Sequence, residues 1–139
     1  VGKILALVML YEIHDINRFE RVQNFTSYCR LIKPTKESAG KIKSSSGKKM
    51  GNACLKWAFS EAVILLIRES DAVKELHNQL KNRYGKARAL AILSHKLGRA
   101  VFYMLKNKQA FQIKTFVNEK TKALVKEKTK TAMPVEPNV

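Results

Sequence analysis

The fold is decided by the stretch NACLKWAFSEAVILLIR, residues 52–68. Asn52 has the side chain of a helix N-cap, and the residues after it are apolar around most of a helical circumference. A helix of this kind is stable only when other helices surround it, so the stretch predicts the centre of the core. Its apolar set comprises Leu55, Trp57, Ala58, Phe59, Ala62, Val63, Leu65 and Leu66.

Three polar or aromatic residues near this helix have two interpretations each. Glu61 interrupts the apolar surface, and because buried carboxylates rarely lack a partner, a structural ion pair with a loop lysine or Arg99 is favoured over an edge position. Trp57 and Tyr28 carry rings that can stack on nucleic-acid bases. Their helical spacing favours a place in the core instead.

Four further segments have the apolar periodicity of helices, and no segment alternates convincingly as a strand does. Gly85 separates the last two, as a residue that closes one helix and allows another to begin. The pattern therefore predicts an all-α domain of about five helices. The four segments are residues 2–13, 19–30, 70–84 and 87–107.

The first of these helices begins with Gly2-Lys3 and is apolar almost all round, which predicts burial. A Gly-Lys pair that opens a buried helix is similar to the second half of a helix-hairpin-helix, whose backbone N–H groups hold a phosphate. A plain core helix with a small first residue explains the same pattern. Both interpretations stay open.

A polar loop precedes the central helix and reads ESAGKIKSSSGKKMGN, residues 37–52. It contains four serines and three glycines among its lysines, and Glu37 is its one acid. Hydroxyl groups, approachable backbone N–H groups and positive charge are what a phosphate site requires. The loop therefore predicts anion binding.

The charge of the chain is one-sided. Lys and Arg number 27 against 11 Asp and Glu, which gives a net charge of +16. No acid occurs between Glu75 and Glu119, or between Ser38 and Ser60. Because solvated surfaces normally mix both signs, two such stretches predict a surface that faces a polyanion.

The cysteines and histidines favour neither a metal site nor a disulfide framework. Cys29 and Cys54 stand alone and read as small apolar residues of a reducing cytosol, and the three histidines are scattered. The longest apolar run is too short to cross a bilayer, so no membrane partner is expected. The chain begins with Val1 and is interpreted as a fragment of a longer protein.

Several runs of residues in a fixed order resemble one known family. They are YCRL at 28–31, ESAGK at 37–41, GKKMGN at 47–52, LKWAFSEA at 55–62, ALAILSHKLGRAV at 89–101 and YML at 103–105. The sequence resembles the C-terminal domain of insertion-sequence transposases of the IS-one-ten type, which are relatives of the Piv DNA invertases and the bridge-RNA-guided recombinases. The resemblance covers residues 1 to about 116.

The resemblance implies a division of labour between two domains. An N-terminal RuvC-like domain, absent from this chain, would bind divalent metal (Mg²⁺) through four acids. The C-terminal domain would supply a serine that attacks a DNA phosphodiester, and by position that serine is Ser38. The family commonly has Gly after the serine, where this chain has Ala39. We expect the transposase domain at residues 1–117 and a basic, partly disordered tail at 118–139.

The residues that we assign to DNA contact combine the loop, the first helix and the last long helix. Ser38 is the expected catalytic residue, and Ser44, Ser45 and Ser46 are its competitors without the small-Gly-Lys context. His95 is a conceivable general base but more simply a helix-surface histidine. The expected DNA contacts are Gly2, Lys3, Gly40, Lys41, Lys43, Lys48, Lys49, Arg88, Lys96 and Arg99.

Three functions are compatible with these observations. The favoured one is a DNA transposase or recombinase domain that is enzymatic only within the full-length protein, in the cytoplasm at the bacterial nucleoid. It would work as a homo-oligomer with DNA, and the resemblance adds a guide RNA as a further partner. A non-catalytic nucleic-acid-binding module, such as a transposon remnant, is the second. An oligomerisation domain whose charge aids only solubility is the third.

Overall fold

The computed structural model describes residues 2–33, 36–44 and 50–118, of which 36–38 and 42–44 are defined by their backbone alone. The regular secondary structure of the described part is helical apart from one short hairpin, and the all-α class is confirmed. In chain order the elements are α1 (Lys3–Ile13), a 3-10 turn (Ile16–Arg18), α2 (Val22–Tyr28), β1 (Lys36–Ser38), β2 (Lys41–Ser44), α3 (Ala53–Glu69), α4 (Asp71–Tyr84) and α5 (Lys86–Asn107). Residues 113–118 are also helical.

Helix α3 is central, as predicted, and packs against α1, α4 and α5. Asn52 caps it, because its side chain accepts a hydrogen bond from the Leu55 N–H group at 3.0 Å. Six apolar residues along the helix are buried against these neighbours. They are Leu55, Ala58, Phe59, Ala62, Val63 and Leu66.

Trp57 corrects the prediction that its ring lies in the core. Its side chain is 52% exposed, and Ile64, two turns further along the same face, is also exposed. The reason is that α1, α4 and α5 cover only part of the helix circumference. Apolar residues can occupy an uncovered face, because much of the surface of any folded protein is apolar.

Helix α1 corrects the prediction of a helix buried all round. Its buried residues Leu5, Met9 and Ile13 follow one another at four-residue spacing, whereas Tyr11 is 89% exposed. The helix packs extensively against α3 alone among the described elements, so a single stripe is covered. Hydropathy shows that a helix is apolar but cannot show on how many sides it has neighbours.

The helix predicted over residues 19–30 is shorter than expected, because it runs only from Val22 to Tyr28 and a separate 3-10 turn precedes it. The Asp15 side chain accepts a hydrogen bond from the Asn17 N–H group at 2.9 Å and caps the 3-10 turn, and α2 begins only at Val22. Phe19 lies in the extended connection and is buried, with its ring 5.2 Å from that of Phe25. The apolar spacing was right, but a buried connection has the same spacing as a short helix.

Helices α4 and α5 agree with the prediction within one residue at their common boundary. Gly85 lies between them with a φ of +87°, which a glycine adopts at little cost. Both helices bury an apolar stripe toward α3, and α5 also packs on α2 and the 3-10 turn. The buried residues include Val73, Leu76 and Leu80 of α4, and Ala89, Leu93, Leu97 and Phe102 of α5.

Two further expectations have a structural outcome. Glu61 is half-exposed, and no ion pair or hydrogen bond joins its side chain to another described residue, so the expected partner Arg99 is wrong. The alternative partners Lys43, Lys48 and Lys49 lie outside the described side chains. The predicted tail lies outside the described residues beyond Asn118. None of the helices in the described ranges combines the length and apolarity needed to cross a bilayer.

Candidate nucleic-acid interface

The polar loop contains a β-hairpin, which corrects the expectation that the chain has no strand. Strands β1 and β2 pair antiparallel, with Ser38 opposite Lys41 at the end nearest the turn. Ala39 and Gly40 form that turn with φ values of +54° and +72°. Positive φ at both central residues is the geometry of a two-residue type I′ turn, whose twist matches that of the paired strands.

The conformation of Ala39 explains why glycine is suited to the position after the serine. A Cβ atom in the left-handed region lies too close to the following carbonyl oxygen, which costs about 1–2 kcal/mol, whereas glycine has no such penalty. Gly40 occupies the second turn position with open space around it. Ala39 is therefore a strained residue at a position that suits glycine.

The hairpin projects from the helical body. Its strands contact each other, and among the described elements neither packs extensively against a helix. Ala39, Gly40 and Lys41 are exposed at the turn. Lys43 falls at a register shift in β2, which leaves it without a partner residue in the described strand β1. A projecting turn with positive charge is accessible to a large ligand.

The base of the loop is tied together by an arginine that the sequence analysis did not identify. The Arg30 guanidinium donates a hydrogen bond from Nε to the Met50 carbonyl oxygen at 2.9 Å. Arg30 itself has a φ of +54° and ends the segment after α2. Since the chain leaves the helical body near Arg30 and returns at Met50, the contact brings the two ends of the loop together.

Asn52 connects three helices at this point. Besides capping α3, it donates from its backbone N–H to the Tyr28 carbonyl oxygen at 2.7 Å, and from its side-chain amide to the Glu12 carboxylate at 2.6 Å. The sequence predicts only the cap. Glu12 lay among apolar residues of α1, and no spacing rule links residues forty positions apart.

Gly51 is required beside Asn52. Its φ is +94°, and a Cβ atom there would lie 2.5 Å from the Tyr28 carbonyl oxygen and 3.1 Å from the Arg30 side chain. Real Cβ atoms do not approach a backbone oxygen so closely, so a larger residue would displace the end of α2. Gly51 and Asn52 together fix the position at which the loop rejoins the core.

Tyr28 extends this network toward the 3-10 turn. Hydrogen bonding from Asn52, and then from Arg18, lowers the pKa of the Tyr28 phenol below its ordinary value. The Arg18 guanidinium carbon lies 4.8 Å from the centre of the Tyr28 ring and 4.6 Å from that of Phe19. Tyr28 is half-buried, and its ring and phenol are engaged by Arg18 and Asn52. Its role here is therefore structural, at the edge of the core.

The loop base is also seated on the long basic helix. A Cβ atom at Gly98 of α5 would overlap the Leu31 side chain, and it would lie 3.9 Å from Thr26. Gly98 is buried in mid-helix, where glycine is unfavourable by about 1 kcal/mol relative to alanine unless close packing requires it. Gly98 thus leaves room for Leu31, the residue at which the chain enters the loop. A glycine in the middle of a helix is a sequence signal for such close packing.

The predicted DNA contacts on α5 fall into two environments. Arg88 and Arg99 are exposed and lie eleven residues apart, on one face of the helix and about 16 Å apart along its axis. The Lys96 Nζ atom is buried and lies 4.9 Å from the centre of the Phe116 ring. Arg88 and Arg99 are therefore placed for surface contacts, whereas Lys96 belongs to a cleft described below.

The remaining predicted contacts are dispersed. Gly2 occupies the N-cap position of α1 without a side-chain cap, and Lys3 is exposed beside it. Among the described elements, α1 packs extensively against α3 and not against the hairpin. Lys48 and Lys49 lie outside the described residues. The structure thus groups Gly40 and Lys41 at the hairpin turn, and Lys96 and Arg99 on α5.

The described side chains hold no cluster of metal ligands. No group of three or more His, Cys, Asp or Glu residues in these parts of the chain is arranged to bind an ion. Burial raises the pKa of the Cys29 thiol to about 12, so this cysteine is an inert part of the core, and Cys54 is exposed. The source of any catalytic metal stays a prediction.

The two histidines with shifted pKa values lie on α4 and α5. Burial, then Lys81 and Lys86, lower the pKa of His77. Burial, then Arg99, lower the pKa of His95. Both imidazoles are thus uncharged at neutral pH. His95 is half-buried, which differs from the helix-surface position that the sequence analysis favoured.

The fold and site define a basic helical domain with a projecting glycine hairpin whose base is fixed to the core. Residues 1–78 match the family described as Transposase IS116/IS110/IS902 family, and this match covers more than half of the 139 residues. The chain belongs to that family, as the resemblance predicted. The match spans α1 to most of α4 and includes Ser38, Gly51 and Asn52. No curated protein and no solved structure matches the chain significantly.

Proposed function

We propose that this chain is the serine-bearing, DNA-binding domain of a transposase. The observation that carries the proposal is the position of Ser38, at the end of β1, next to the turn and opposite the exposed Lys41. A DNA strand can approach this turn because the hairpin projects from the helical body. The net charge of +16 favours binding of a polyanion.

The proposed reaction is an exchange of phosphodiester bonds. The Ser38 oxygen attacks a DNA phosphorus atom and forms a phosphoserine bond, while the bond from phosphorus to one deoxyribose oxygen breaks and that oxygen leaves as a hydroxyl. The serine proton passes to a base, because a neutral hydroxyl is a weak nucleophile. In the reverse step a hydroxyl of another strand end attacks the phosphoserine and releases Ser38.

Each group in this proposal has a defined task. Lys41, Lys43, Lys48 and Lys49 would neutralise the charge that develops on the phosphate oxygens. Gly40 would let the phosphate approach the backbone, since its Cβ is absent. The base and the Mg²⁺ ions would come from the acidic RuvC-like domain that the family resemblance implies.

The test of the nucleophile is a covalent intermediate in a protein that carries both domains. DNA whose strand-exchange partner is blocked should accumulate as a protein adduct with Mg²⁺, and mass spectrometry should identify the phosphoserine at residue 38. Ser38→Ala should abolish the adduct but keep DNA binding. Ser45→Ala, which removes one of the serines that compete with Ser38, is the matched control. An adduct that survives Ser38→Ala would overturn the proposal.

The second candidate, a non-catalytic binding module, is favoured by one specific observation. Ala39 strains the turn at the position next to the proposed nucleophile, as expected where selection on activity has been lost. Such a module would bind DNA equally well with and without Ser38 and would form no adduct. The same adduct experiment therefore separates the two candidates.

The chain of 139 residues alone should bind DNA without cutting it. Several phosphate contacts require the logarithm of the affinity to fall steeply with the logarithm of the salt concentration. A flat response would support the third candidate, an oligomerisation domain. A homo-oligomeric active complex, a guide RNA and a place at the cytoplasmic nucleoid are further parts of the proposal.

A further inference from the structure

A cleft of about 780 Å³ opens between the second half of α5 and residues 109–116. It is separate from the hairpin, and its size falls within the usual range for small-molecule sites of about 300–1,000 Å³. Its apolar floor includes Ile92, Ala100 and Met104. Polar and aromatic side chains from α5 and the following segment form its walls. Nothing in the proposed strand exchange uses this cleft.

The charge of the cleft is positive. Lys96 and Arg99 line it, and no Asp or Glu is among the described residues around it. The Arg99 side chain is exposed, whereas the Lys96 Nζ atom is buried near the Phe116 ring. His95 is uncharged at neutral pH because its pKa is lowered, and so it offers hydrogen bonding rather than charge. The cleft therefore suits an anionic group at its rim.

The aromatic residues of the cleft offer a stacking surface. Tyr103 is 46% exposed, and its ring stands nearly perpendicular to the buried Phe102 ring at a centroid distance of 5.4 Å. The contact with Phe102 orients the Tyr103 ring, and nearly half of the Tyr103 side chain remains exposed to a ligand. Phe111 and Phe116, whose centroids lie 5.6 Å apart, form the opposite wall.

Two glutamine amides add hydrogen-bonding groups. The Gln112 Oε1 atom accepts a hydrogen bond from the Thr115 hydroxyl at 3.2 Å, so its NH₂ group remains available to donate within the described structure. Gln109 lines the same cleft, and none of the described residues bonds its side chain. An accessible ring, amide groups and an exposed arginine are the set by which proteins hold unstacked bases.

We propose that this cleft binds an unpaired nucleotide, with its base on Tyr103, its edge at the Gln112 amide and its phosphate at Arg99. The inference rests on the proposed function in nucleic-acid binding and assigns one part of that binding to a defined site. The nucleotide has two possible sources, an extrahelical position of DNA and a bulge or loop of RNA. The chemistry of stacking and amide pairing is common to both.

The experiment uses hairpin probes with one 2-aminopurine, either fully paired or in a single-nucleotide bulge, in a DNA set and an RNA set. We expect the 139-residue chain to bind bulged probes about ten-fold more tightly than paired probes, and to quench the bulged base, because stacking on an aromatic ring supplies that difference. The set with the larger preference identifies the source of the nucleotide.

Tyr103→Leu should remove the preference and the quenching while leaving the affinity for paired probes unchanged. Gln112→Leu should reduce the preference to an intermediate value. Tyr11→Leu, which changes an exposed tyrosine of α1 outside the cleft, should retain both effects. Melting curves of all three variants establish that they fold.

Two negative results have different meanings. If the wild-type chain binds paired probes but shows no preference for either bulged set, or if Tyr103→Leu keeps the preference, the cleft proposal is overturned and the proposed function stands. If the chain binds no probe at all, both proposals are overturned.

Discussion

The side-chain amide of Asn52 donates a hydrogen bond of 2.6 Å to the carboxylate of Glu12, and so joins the start of α3 to the end of α1. The same residue caps α3, and its backbone N–H group donates a hydrogen bond to the Tyr28 carbonyl oxygen at the end of α2. The loop that carries Ser38 returns to the core immediately before this residue. Asn52 therefore fixes where the loop returns to the helices, although it lies fourteen positions from the serine.

Replacement of Asn52 should destabilise the fold more than the loss of a cap alone. Asn52→Ala removes the α3 cap and leaves the half-buried Glu12 without its amide donor, so we expect a loss of about 2 kcal/mol in the free energy of unfolding. Urea denaturation measures it. Ser70→Ala is the control, because Ser70 precedes α4 without a side-chain cap bond, and it should change stability by less than about 0.5 kcal/mol. Equal losses in the two variants would contradict the role of Asn52.

Alanine substitutions at Gly51 and Gly85 separate two costs. At Gly85 the cost is backbone strain alone, whereas at Gly51 a steric collision is added to the strain. Both have positive φ, but only at Gly51 would a Cβ atom meet a backbone oxygen, whereas space is open around Gly85. Gly85 has a ψ of 163°, a region that essentially only glycine adopts, so Gly85→Ala should cost about 1–3 kcal/mol. Gly51→Ala should cost at least about 1 kcal/mol more because of the collision. Thermal unfolding of the two variants side by side measures the difference. A smaller loss for Gly51→Ala would show that the end of α2 moves easily.

Ala39→Gly should stabilise the hairpin. The substitution removes the left-handed strain at a φ of +54°, and we expect a gain of about 1 kcal/mol in the local opening free energy, reduced by the greater entropy of the unfolded glycine. Hydrogen exchange of the Lys41 amide, at the start of β2, measures this gain. Ala39→Val should have the opposite effect, because a β-branched side chain is worse at positive φ.

The salt dependence of duplex DNA binding should identify individual phosphate contacts. Lys41→Ala and Arg88→Ala should each reduce the slope of log affinity against log salt by about one unit. Lys74→Ala removes the same charge from α4, where Asp71 and Glu75 are close in sequence, and it should leave the slope unchanged. Equal reductions for all three would show that only the net charge matters.

The stability of the domain should fall as the pH is lowered through the range where histidine titrates. The pKa of His77 is lowered in the folded protein by burial and by Lys81 and Lys86. The unfolded chain therefore binds a proton first, at about pH 6.5, and stability is lost from there down to the folded pKa. His77→Gln should reduce the fall in melting temperature between pH 7.5 and 5. An unchanged fall in the His77→Gln variant would contradict this role of His77.

Local patterns in the sequence were sufficient for much of the helical framework. The N-cap at Asn52, the break at Gly85 and the stripes of α4 and α5 depend on residues within one or two turns of each other, so their spacing predicts them directly. The hairpin was missed because its strands are only three and four residues long, too short for an alternating pattern to appear. The family, too, was predicted from contiguous motifs, and the match over residues 1–78 confirmed it.

The tertiary structure decided what depends on pairs of residues far apart in the chain. Trp57 and Tyr11 are exposed because no described helix covers their faces, and hydropathy cannot count neighbours. Glu12 meets Asn52, and Leu31 meets Gly98, only after α1, α2, α3 and α5 have packed together. The sequence by itself determined the helices, the charge and the family, because these depend on local order and composition. Packing alone decided how the loop is held, because each contact that holds it joins separate elements.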